Sequence, residues 1–358
     1  MKSIQIANTI IADSSKPFII AEIGVNYYDI ADKLDISPLK AAKLMVKKAA
    51  NAGADAVKFQ TYKAEKLASK NSPAYWDQNE EITDSQYALF SKFDKFGQTE
   101  YKELADYCNS HGVIFLSTPF DFESADYLDE LMPIYKISSS DITNLPFIEY
   151  LAKKRKTIFL STGASTLGEI EAAVNTVLKT GNKDICLMHC VLDYPTNYED
   201  ANLNMIKHLE VVFPNCLIGY SDHTRPDDAM LTVTTAYLYG ANVIEKHFTL
   251  DKELAGNDHY HAMDPTDLEK FTHNINLLQK INGQYYKQPL ECEQESRKQA
   301  RRSIVATVNM EKGEFITRNK VTFKRPGTGI SPADLDKVIG RKVTEKIEKD
   351  SILTYEKI

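Results

Sequence analysis

The chain alternates short apolar runs with longer amphipathic stretches over most of its length. Eight runs are rich in Val, Ile, Leu and Phe, and each is followed by a helical pattern. They are 18–25 (FIIAEIGV), 56–61 (AVKFQT), 113–119 (VIFLSTP), 134–139 (IYKISS), 157–163 (TIFLSTG), 185–191 (ICLMHCV), 216–223 (CLIGYSDH) and 243–249 (VIEKHFT). Near-continuous apolar runs of this length are typical of parallel strands that are buried on both faces.

The stretches between these runs have the period of an amphipathic helix. In 38–52 (PLKAAKLMVKKAANA), Leu39, Met45 and Val46 fall on one helical face. Eight alternations of strand and helix predict an α/β protein with a (β/α)8 TIM barrel over residues 1–284. An open doubly wound sheet is the structural alternative, although no glycine-rich nucleotide fingerprint follows the first strand.

The pattern changes after the predicted barrel. Residues 285–299 (YYKQPLECEQESRKQ) are polar and charge-rich, which indicates a linker. Residues 300–358 alternate short apolar pieces with turns at Gly313, Gly327 and Gly340, which predicts a small β-rich domain. A domain of about 60 residues is near the lower limit of independent stability, so we expect it to dock on another surface.

Composition and charge exclude several classes of protein. Of 358 residues, 43% are apolar and 26% are charged, which is ordinary for a globular protein. The formal net charge of -7 argues against a nucleic-acid partner or an anionic membrane surface. No apolar run approaches the ~18 residues of a membrane span, and the start has no signal-peptide layout. The five cysteines form no CxxC pair, and most are predicted to be buried thiols in a reducing cytoplasm.

A polar side chain stands near the end of nearly every predicted strand. Such a residue is costly in a buried strand unless it faces the C-terminal mouth of a barrel, where active sites lie. The set is Glu22, Lys58, Gln60, Thr118, Lys136, Ser139, Ser161, His189, Ser221, Asp222, His223, Glu245 and His247. Any one of them, His189 for example, could be a satisfied core group, but the set predicts one cluster at the mouth. The long segment 62–97 is expected to cover it.

The charges of this cluster indicate its chemistry. Lys58 and Lys136, with the hydroxyls of neighbouring strands, would form an anion cradle suited to a phosphate plus a carboxylate. The alternative is that each lysine pairs with a structural carboxylate. His223 and His247 end adjacent strands, so both imidazoles could bind one divalent ion, with Glu22 or water completing its shell.

Three more candidate residues, Asp258, His259 and His261, lie in the loop AGNDHYHAMDP after the eighth strand. His259 and His261 could add metal ligands, but we favour for them a place in a loop that covers the substrate. Asp258 precedes them and would offer a carboxylate to sugar hydroxyls or to a migrating proton.

Nine segments carry a resemblance to a known family. They are FIIAEIGVN (18–26), GADAVKFQTYK (53–63), FLSTPFD (115–121), YKISSSDITNLP (135–146), LSTGAS (160–165), HCVLDYPT (189–196), GYSDHT (219–224), IEKHFTLDK (244–252) and KRPGTGIS (324–331). The chain resembles the sialic acid synthase family, which covers N-acetylneuraminate synthase and its legionaminic and pseudaminic acid relatives. The resemblance implies a barrel followed by an antifreeze-like (SAF) domain, in a domain-swapped homodimer where that domain caps the partner's active site.

The resemblance also implies a reaction and its residues. A metal-dependent transferase would condense phosphoenolpyruvate with an N-acylated mannosamine-type aldose and water, releasing phosphate by C–O cleavage. The residues implied to hold phosphoenolpyruvate are Lys58, Thr118, Lys136, Ser139, Ser161 and Ser221. His223 and His247 would bind Mn or Mg, and Glu22 would orient or deprotonate the water. The residues implied to touch the sugar are Gln60, Tyr194 and Asp258, with Arg325 reaching in from the partner subunit.

The chain departs from the family's common motifs around the sugar. Residues 26–29 read Asn-Tyr-Tyr-Asp where Asn-His-Asn-Gly is common, Leu192 replaces an asparagine, and Ser-Ser-Asp (139–141) replaces Ser-Gly-Glu. These departures make a trideoxy diacetamido sugar a competitor of N-acetylmannosamine as the substrate.

Other functions stay open on the same fold. A Schiff-base aldolase would use Lys58 or Lys136 as a covalent nucleophile. A non-catalytic polysaccharide-assembly protein is disfavoured because the glutamate, both lysines and both histidines are all present. A synthase acting on an aldose phosphate would need a second phosphate site, and the strand ends show no surplus arginine cluster.

Overall fold

The structure is a computed structural model that describes residues 2–7, 9–12, 16–76, 78, 81–256 and 258–358. The chain divides into two compact units, Met1–Asn282 and Gly283–Ile358. Among the described residues, no helix combines the length and the apolar character that crossing a membrane requires.

A two-stranded antiparallel hairpin opens the first unit. Its strands are β1 (Ser3–Ile6) and β2 (Thr9–Ala12), whose inward-facing isoleucines belong to the hydrophobic core. The side chain of Asn242, just before the last strand of the main sheet, donates to the carbonyl of Ala12. The hairpin therefore lies at the N-terminal end of that sheet. Its strands are only four residues long, and the sequence patterns did not predict them.

Eight parallel strands form the main sheet, as the apolar runs predict. They are β3 (Phe18–Gly24), β4 (Ala56–Thr61), β5 (Ile114–Pro119), β6 (Ile134–Ile137), β7 (Thr157–Ser161), β8 (Ile185–His189), β9 (Leu217–Asp222) and β10 (Val243–His247). All of their residues are buried except Gln60 and Ile114, which are half-buried. Burial on both faces is the reason that these strands read as nearly continuous apolar runs.

The strand order closes the sheet into a near-barrel. It runs β5-β4-β3-β10-β9-β8-β7-β6, so the first and last strands of the series, β3 and β10, are hydrogen-bonded neighbours. β5 and β6 contact each other at the remaining seam, where the described residues form no strand ladder. The predicted TIM barrel is confirmed, and the doubly wound alternative is wrong.

Helices surround the sheet. They are α1 (Tyr27–Leu34), α2 (Pro38–Asn51), α3 (Ala64–Leu67), α4 (Gln86–Phe93), α5 (Gln98–Ser110), α6 (Phe122–Leu128), α7 (Leu145–Lys153), α8 (Leu167–Lys179), α9 (Asn204–Val212), α10 (Leu231–Leu238) and α11 (Pro265–Asn282). α2 shows why they form: Ser37 caps its first turn by accepting from the Lys40 amide, and Pro38 starts it. Its Met45 and Val46 are fully buried, as the helical period predicts.

The second unit is small and has its own core. It holds α12 (Gln294–Ala300), the antiparallel strands β11 (Ser303–Ala306) and β12 (Val321–Lys324), and α13 (Leu335–Val338). Its buried core residues include Ile304, Met310, Val338 and Leu353. The segment predicted as a linker, 285–299, is exposed throughout and contains most of α12, which its polar pattern did not predict.

Candidate active site

The polar strand ends converge on one cavity at the C-terminal mouth of the barrel. Its lining is formed by Glu22, Lys58, Gln60, Thr118, Phe120, Lys136, Ser138, Ser139, Ser161, Cys190, Tyr194, Ser221, His223, Glu245 and His247. The parallel ladder explains this, because the carboxyl ends of all eight strands point to the same rim. The structure thus brings together every polar strand end of the predicted cluster except His189 and Asp222, and every residue implied by the resemblance except Asp258 and Arg325.

Two lysines and two glutamates form a buried charge network in this cavity. The Nζ of Lys58 lies 2.6 Å from Glu22 Oε2 and 3.7 Å from Glu245 Oε1. The Nζ of Lys136 lies 3.1 Å from the same oxygen of Glu245. None of the four side chains is more than 5% exposed. Strand register builds part of the network, since Glu22 is the ladder partner of Lys58.

Hydrogen bonds from neighbouring strands extend the network. Lys58 Nζ donates to Thr118 Oγ1 at 3.0 Å, and Gln60 Nε2 donates to Glu22 Oε1 at 3.1 Å. Ser221 Oγ donates to Glu245 Oε1 at 3.0 Å. The lysines therefore fit both predictions, the anion cradle and the pairing with structural carboxylates, because each pairs with a carboxylate and each also lines the cavity.

Burial and pairing shift the pKa values of the two glutamates in opposite directions. Burial raises the pKa of Glu22 to about 7, although the Lys58 ammonium opposes this. Burial would also raise the pKa of Glu245, but the ammonium groups of Lys136 and Lys58 together outweigh it and hold that pKa at about 2. Glu245 is therefore a permanent carboxylate, whereas Glu22 can exchange a proton near neutral pH.

The environment of Lys58 bears on the aldolase alternative. Burial lowers the pKa of Lys58, but Glu22 and Glu245 raise it by more, so the net shift is upward. A Schiff-base lysine has to lose its proton before it can attack a carbonyl. The raised pKa of Lys58 therefore disfavours this residue as a covalent nucleophile.

Ser139 and Cys190 line another part of the cavity, and the backbone of Gly163 contacts both of them. The Gly163 amide donates to Ser139 Oγ at 3.0 Å, and the Cys190 thiol lies 3.0 Å from the same oxygen. A Cβ at position 163 would stand 2.9 Å from both the Ser139 oxygen and the Cys190 sulfur. Glycine is needed here because the backbone approaches the serine too closely for a side chain. Ser161, at the end of β7, is buried beside them.

Three imidazoles stand together at the cavity, and two of them, His223 and His247, belong to its lining. The ring centroids are 5.6 Å apart for His223 and His247, 4.8 Å for His247 and His261, and 6.3 Å for His223 and His261. The Tyr194 ring packs 4.2 Å from that of His223. The Nδ1 of His223 lies 2.6 Å from the Val191 carbonyl, which fixes the proton on Nδ1 and leaves Nε2 with a free lone pair.

Burial keeps these rings neutral. It lowers the pKa of His223 to about 4 and moves the pKa values of His247 and His261 well below the usual range. A neutral imidazole is the form that binds a metal ion. The group is therefore in the protonation state that a metal site requires.

Asp258 lies against this group. Its carboxylate oxygens are 3.9 Å from His247 Nδ1 and 3.8 Å from His261 Nε2. Donor atoms of Asp258, His247 and His261 all lie within 4.8 Å of one another. The side chain of Asn26 donates to the backbone carbonyl of Asp258 and holds the loop in place.

The two loop histidines have different surroundings. Both are completely buried. His259 is satisfied by Thr249 Oγ1 at 2.7 Å and by Asp29 Oδ2 at 3.1 Å, so it anchors the loop. His261 instead lies beside His247 and His223, which is the position expected from the less favoured alternative that it adds a metal ligand.

Two predicted cluster members do not face the cavity. A ring nitrogen of His189 lies 2.9 Å from the Ala201 carbonyl, which makes this residue a satisfied core histidine. Asp222 forms a buried ion pair with Lys246 at 2.6 Å on the outer face of the sheet. The prediction that the whole set of polar strand ends forms one cluster is wrong for these two residues.

Two more predicted features lie outside the cavity lining. Arg325 is exposed in the second unit, directly after β12, and its contact with a partner's sugar stays a prediction. The ring of Tyr62, in the segment 62–97, packs on Phe120 of the lining and on Phe90 of α4. This segment therefore lies beside the mouth; three of its residues (77, 79 and 80) fall outside the described residues.

The sequence interpretation missed one functional candidate, Glu245, and left the place of His261 open. The sequence places Glu245 among the polar strand ends without indicating its role, although the strand period of two puts it on the same face as His247. No local pattern in the sequence could have placed His261 beside His247, because the path of the loop decides that contact.

The sequence matches two known families that cover most of the chain. It matches the NeuB family over residues 45–287 and the SAF domain over residues 301–358. The chain belongs to the NeuB family and carries a C-terminal SAF domain. The predicted resemblance to sialic acid synthases is confirmed.

Relatives and a solved structure agree with this assignment. The chain is 38% identical to N,N'-diacetyllegionaminic acid synthase of Campylobacter jejuni, over 94% of this chain and 99% of that protein. It is 31% identical to N-acetylneuraminate-9-phosphate synthase of Mus musculus, over 95% and 92% of the two chains. A crystal structure of N-acetylneuraminic acid (sialic acid) synthetase from Leptospira borgpetersenii in complex with citrate has 32% identity and a TM-score of 0.71, covering 82% of this chain and 95% of that one. These relatives are acid synthases, so the chain belongs among enzymes.

Proposed function

We propose that this protein is a nonulosonic acid synthase that condenses phosphoenolpyruvate with an N-acylated mannosamine-type aldose and water. The products are a nine-carbon keto acid of the sialic type and inorganic phosphate. The observation that carries the proposal is the cavity that Lys58, Lys136, the protonatable Glu22 and the neutral imidazoles of His223 and His247 all line. The named relatives support an acid of the legionaminic or sialic type as the product.

The lysine side of the cavity suits phosphoenolpyruvate. This substrate carries a phosphate and a carboxylate, and both need cationic partners in a site from which most water is excluded. Lys58 and Lys136 would supply the charges, with hydroxyls from Thr118, Ser139 and neighbouring serines as further donors. Glu245 would hold the two ammonium groups in place, because both converge on one of its oxygens.

The imidazole side fits a divalent metal ion. Among the described residues, His247 Nδ1 is a buried nitrogen without a hydrogen-bond partner, and His223 Nε2 keeps a free lone pair. His223 and His247 would hold Mn²⁺ or Mg²⁺, and an ion bound there would polarise the aldehyde oxygen of the open-chain sugar.

The order of bond changes follows from this arrangement. The methylene carbon of phosphoenolpyruvate attacks the aldehyde carbon, and positive charge develops at the carbon that bears the phosphate ester. Water adds to that carbon, and Glu22, whose pKa of about 7 suits a general base, takes a proton from it. The tetrahedral carbon then becomes a ketone as its hydroxyl loses the second proton of the water and the C–O bond to phosphate breaks, and phosphate leaves with the bonding pair. Of the two protons of the water, one ends on the former aldehyde oxygen, which becomes a hydroxyl, and the other on the released phosphate.

The sugar would lie between the imidazoles and the mouth. Gln60 and Tyr194 line the cavity there, and Asp258 stands beside His247. The 38% identity to a diacetyllegionaminic acid synthase supports a diacetamido trideoxy sugar as the substrate. We also propose a domain-swapped homodimer in which Arg325 of one chain reaches the N-acyl group of the sugar bound to the other.

A phosphate-release assay tests the proposal. Phosphoenolpyruvate labelled with ¹⁸O in its bridging oxygen is offered with a panel of acylated mannosamines, including the diacetamido analogue, and product masses are recorded. We expect phosphate that carries the label, together with a keto acid of the summed carbon count. Absence of phosphate release with every sugar, or a lysine adduct trapped by borohydride with a keto acid, would contradict it.

A further inference from the structure

We infer that His261 is a third imidazole ligand of the metal ion and that Asp258 supplies a carboxylate to the same coordination shell. This inference deepens the proposed function, in which only His223 and His247 hold the metal. It concerns a residue that lies 14 positions beyond His247 in the printed sequence, in the loop after the last barrel strand.

The first argument is burial without partners. The side chain of His261 is 0% exposed, and within the described part of the chain neither of its ring nitrogens has a hydrogen-bond partner. The Nδ1 of His247, on the neighbouring ring, is also buried without a hydrogen-bond partner among the described residues. Buried polar atoms in native proteins almost always have a partner, and an ion is one of the few that could satisfy several nitrogens at once.

The second argument is the spacing of the rings. With a metal–nitrogen bond of about 2.1 Å, two imidazoles on one ion have centroids between about 4.6 Å apart at right angles and about 6.5 Å apart when opposite. The three separations among His223, His247 and His261, from 4.8 to 6.3 Å, all fall in this window. The Asp258 carboxylate lies 3.8 and 3.9 Å from the nearest nitrogens of His261 and His247, and donor atoms of these three residues lie within 4.8 Å of one another. His223 is outside this set of donor atoms and is related to it by the ring separations.

The third argument is that the loop is held in place by other contacts. His259 is bonded to Thr249 and Asp29, one on each ring nitrogen. The Met263 amide donates to the His247 carbonyl at 2.8 Å, which fixes the loop to the end of β10. His261 and Asp258 are thus positioned by satisfied neighbours, while their own polar atoms face the other imidazoles.

The donor set has a consequence for metal choice. Three imidazoles and one carboxylate suit Mn²⁺, Fe²⁺, Co²⁺ or Zn²⁺, whereas Mg²⁺ prefers oxygen ligands and keeps its waters. We therefore expect the metal-free chain to bind Mn²⁺ at least about tenfold more tightly than Mg²⁺.

The test measures metal binding by the full-length chain. Metal-free protein is titrated with Mn²⁺ alone, and pulsed electron paramagnetic resonance counts the imidazole nitrogens on the bound ion. We expect three imidazoles in the parent protein, and a loss of Mn²⁺ affinity of at least about tenfold in His261→Ala. The control is His189→Asn, which removes a buried barrel imidazole bonded to the Ala201 carbonyl and should leave the affinity unchanged.

The outcomes separate this inference from the proposed function. Two imidazoles in the parent spectrum, or an unchanged affinity in a folded His261→Ala, would overturn the inference, and the parent spectrum decides even if the variant does not fold. If His223→Ala and His247→Ala also keep the parent affinity, the metal site of the proposed function fails as well. Three imidazoles without any phosphate release would leave the inference standing and overturn the function.

Discussion

Replacement of Glu245 by glutamine removes the carboxylate on which both buried lysines converge. Its Oε1 lies 3.1 Å from Lys136 Nζ and 3.7 Å from Lys58 Nζ. At an effective dielectric constant of about 20, the Coulomb attraction is about 5 kcal/mol for the Lys136 contact and about 4.5 kcal/mol for the Lys58 contact, before the cost of desolvation is subtracted. Because removal of one partner from a buried pair typically costs about 3–5 kcal/mol, we expect Glu245→Gln to lose about 4 kcal/mol of unfolding free energy.

A second buried pair in the same barrel gives a matched control. Asp222 and Lys246 lie 2.6 Å apart, with side chains 1% and 2% exposed, and neither lines the cavity. The Asp222→Asn variant should therefore lose a similar free energy of unfolding, about 3–5 kcal/mol. Urea unfolding of the metal-free proteins, followed by the circular dichroism of the helices, measures both losses.

Inorganic phosphate then distinguishes the two variants. In Glu245→Gln the two ammonium groups are left without their shared carboxylate, and a phosphate ion can take its place between them. We expect the same concentration of phosphate to stabilise this variant by about 1 kcal/mol more than it stabilises either the parent or Asp222→Asn. Equal gains in all three proteins would refute the reasoning that the lysines form an anion cradle.

Three further predictions concern the proposed reaction. Glu22→Gln should bind phosphoenolpyruvate but lose at least about a hundredfold in kcat. The rate of the parent enzyme should fall below pH 7, because Glu22, with a pKa of about 7, becomes protonated there. A near-normal rate in the variant would contradict the role of Glu22 as the base. Chelation should abolish phosphate release and Mn²⁺ should restore it, whereas full activity in excess chelator would exclude the metal role of His223 and His247. Arg325→Ala should raise KM for the sugar about tenfold or more and leave KM for phosphoenolpyruvate almost unchanged. Arg318 is another exposed arginine of the same unit, and Arg318→Ala should change neither KM. Equal effects of Arg325→Ala on both substrates would argue against capping by the partner.

The barrel was predictable because its signals are local. A parallel strand buried on both faces needs an apolar run, and the eight runs correspond to β3 through β10. The hairpin β1–β2 escaped because its strands have four residues each. The helix α12 escaped because its sequence, QESRKQA, has no apolar face, and none of its residues is buried.

The lysine side of the site was also largely predictable. Lys58, Lys136 and Glu22 stand near strand ends, and a closed parallel sheet necessarily brings those ends together. The pairing of the lysines with Glu245 was not predictable in detail. Strand register and side-chain length decide which carboxylate each ammonium group reaches, and the sequence does not give the distances between these groups.

The sequence by itself determined the fold class, the end of the barrel at which the chemistry lies, and the family to which the chain belongs. Only the tertiary structure decided which polar side chains have their partners elsewhere and which do not. It placed His189 and Asp222 among satisfied neighbours, and it brought His261 against His247 through a loop anchored by His259. The physical reason is that periodicity fixes the face of an element, whereas contacts between distant segments depend on loop paths that no local pattern encodes.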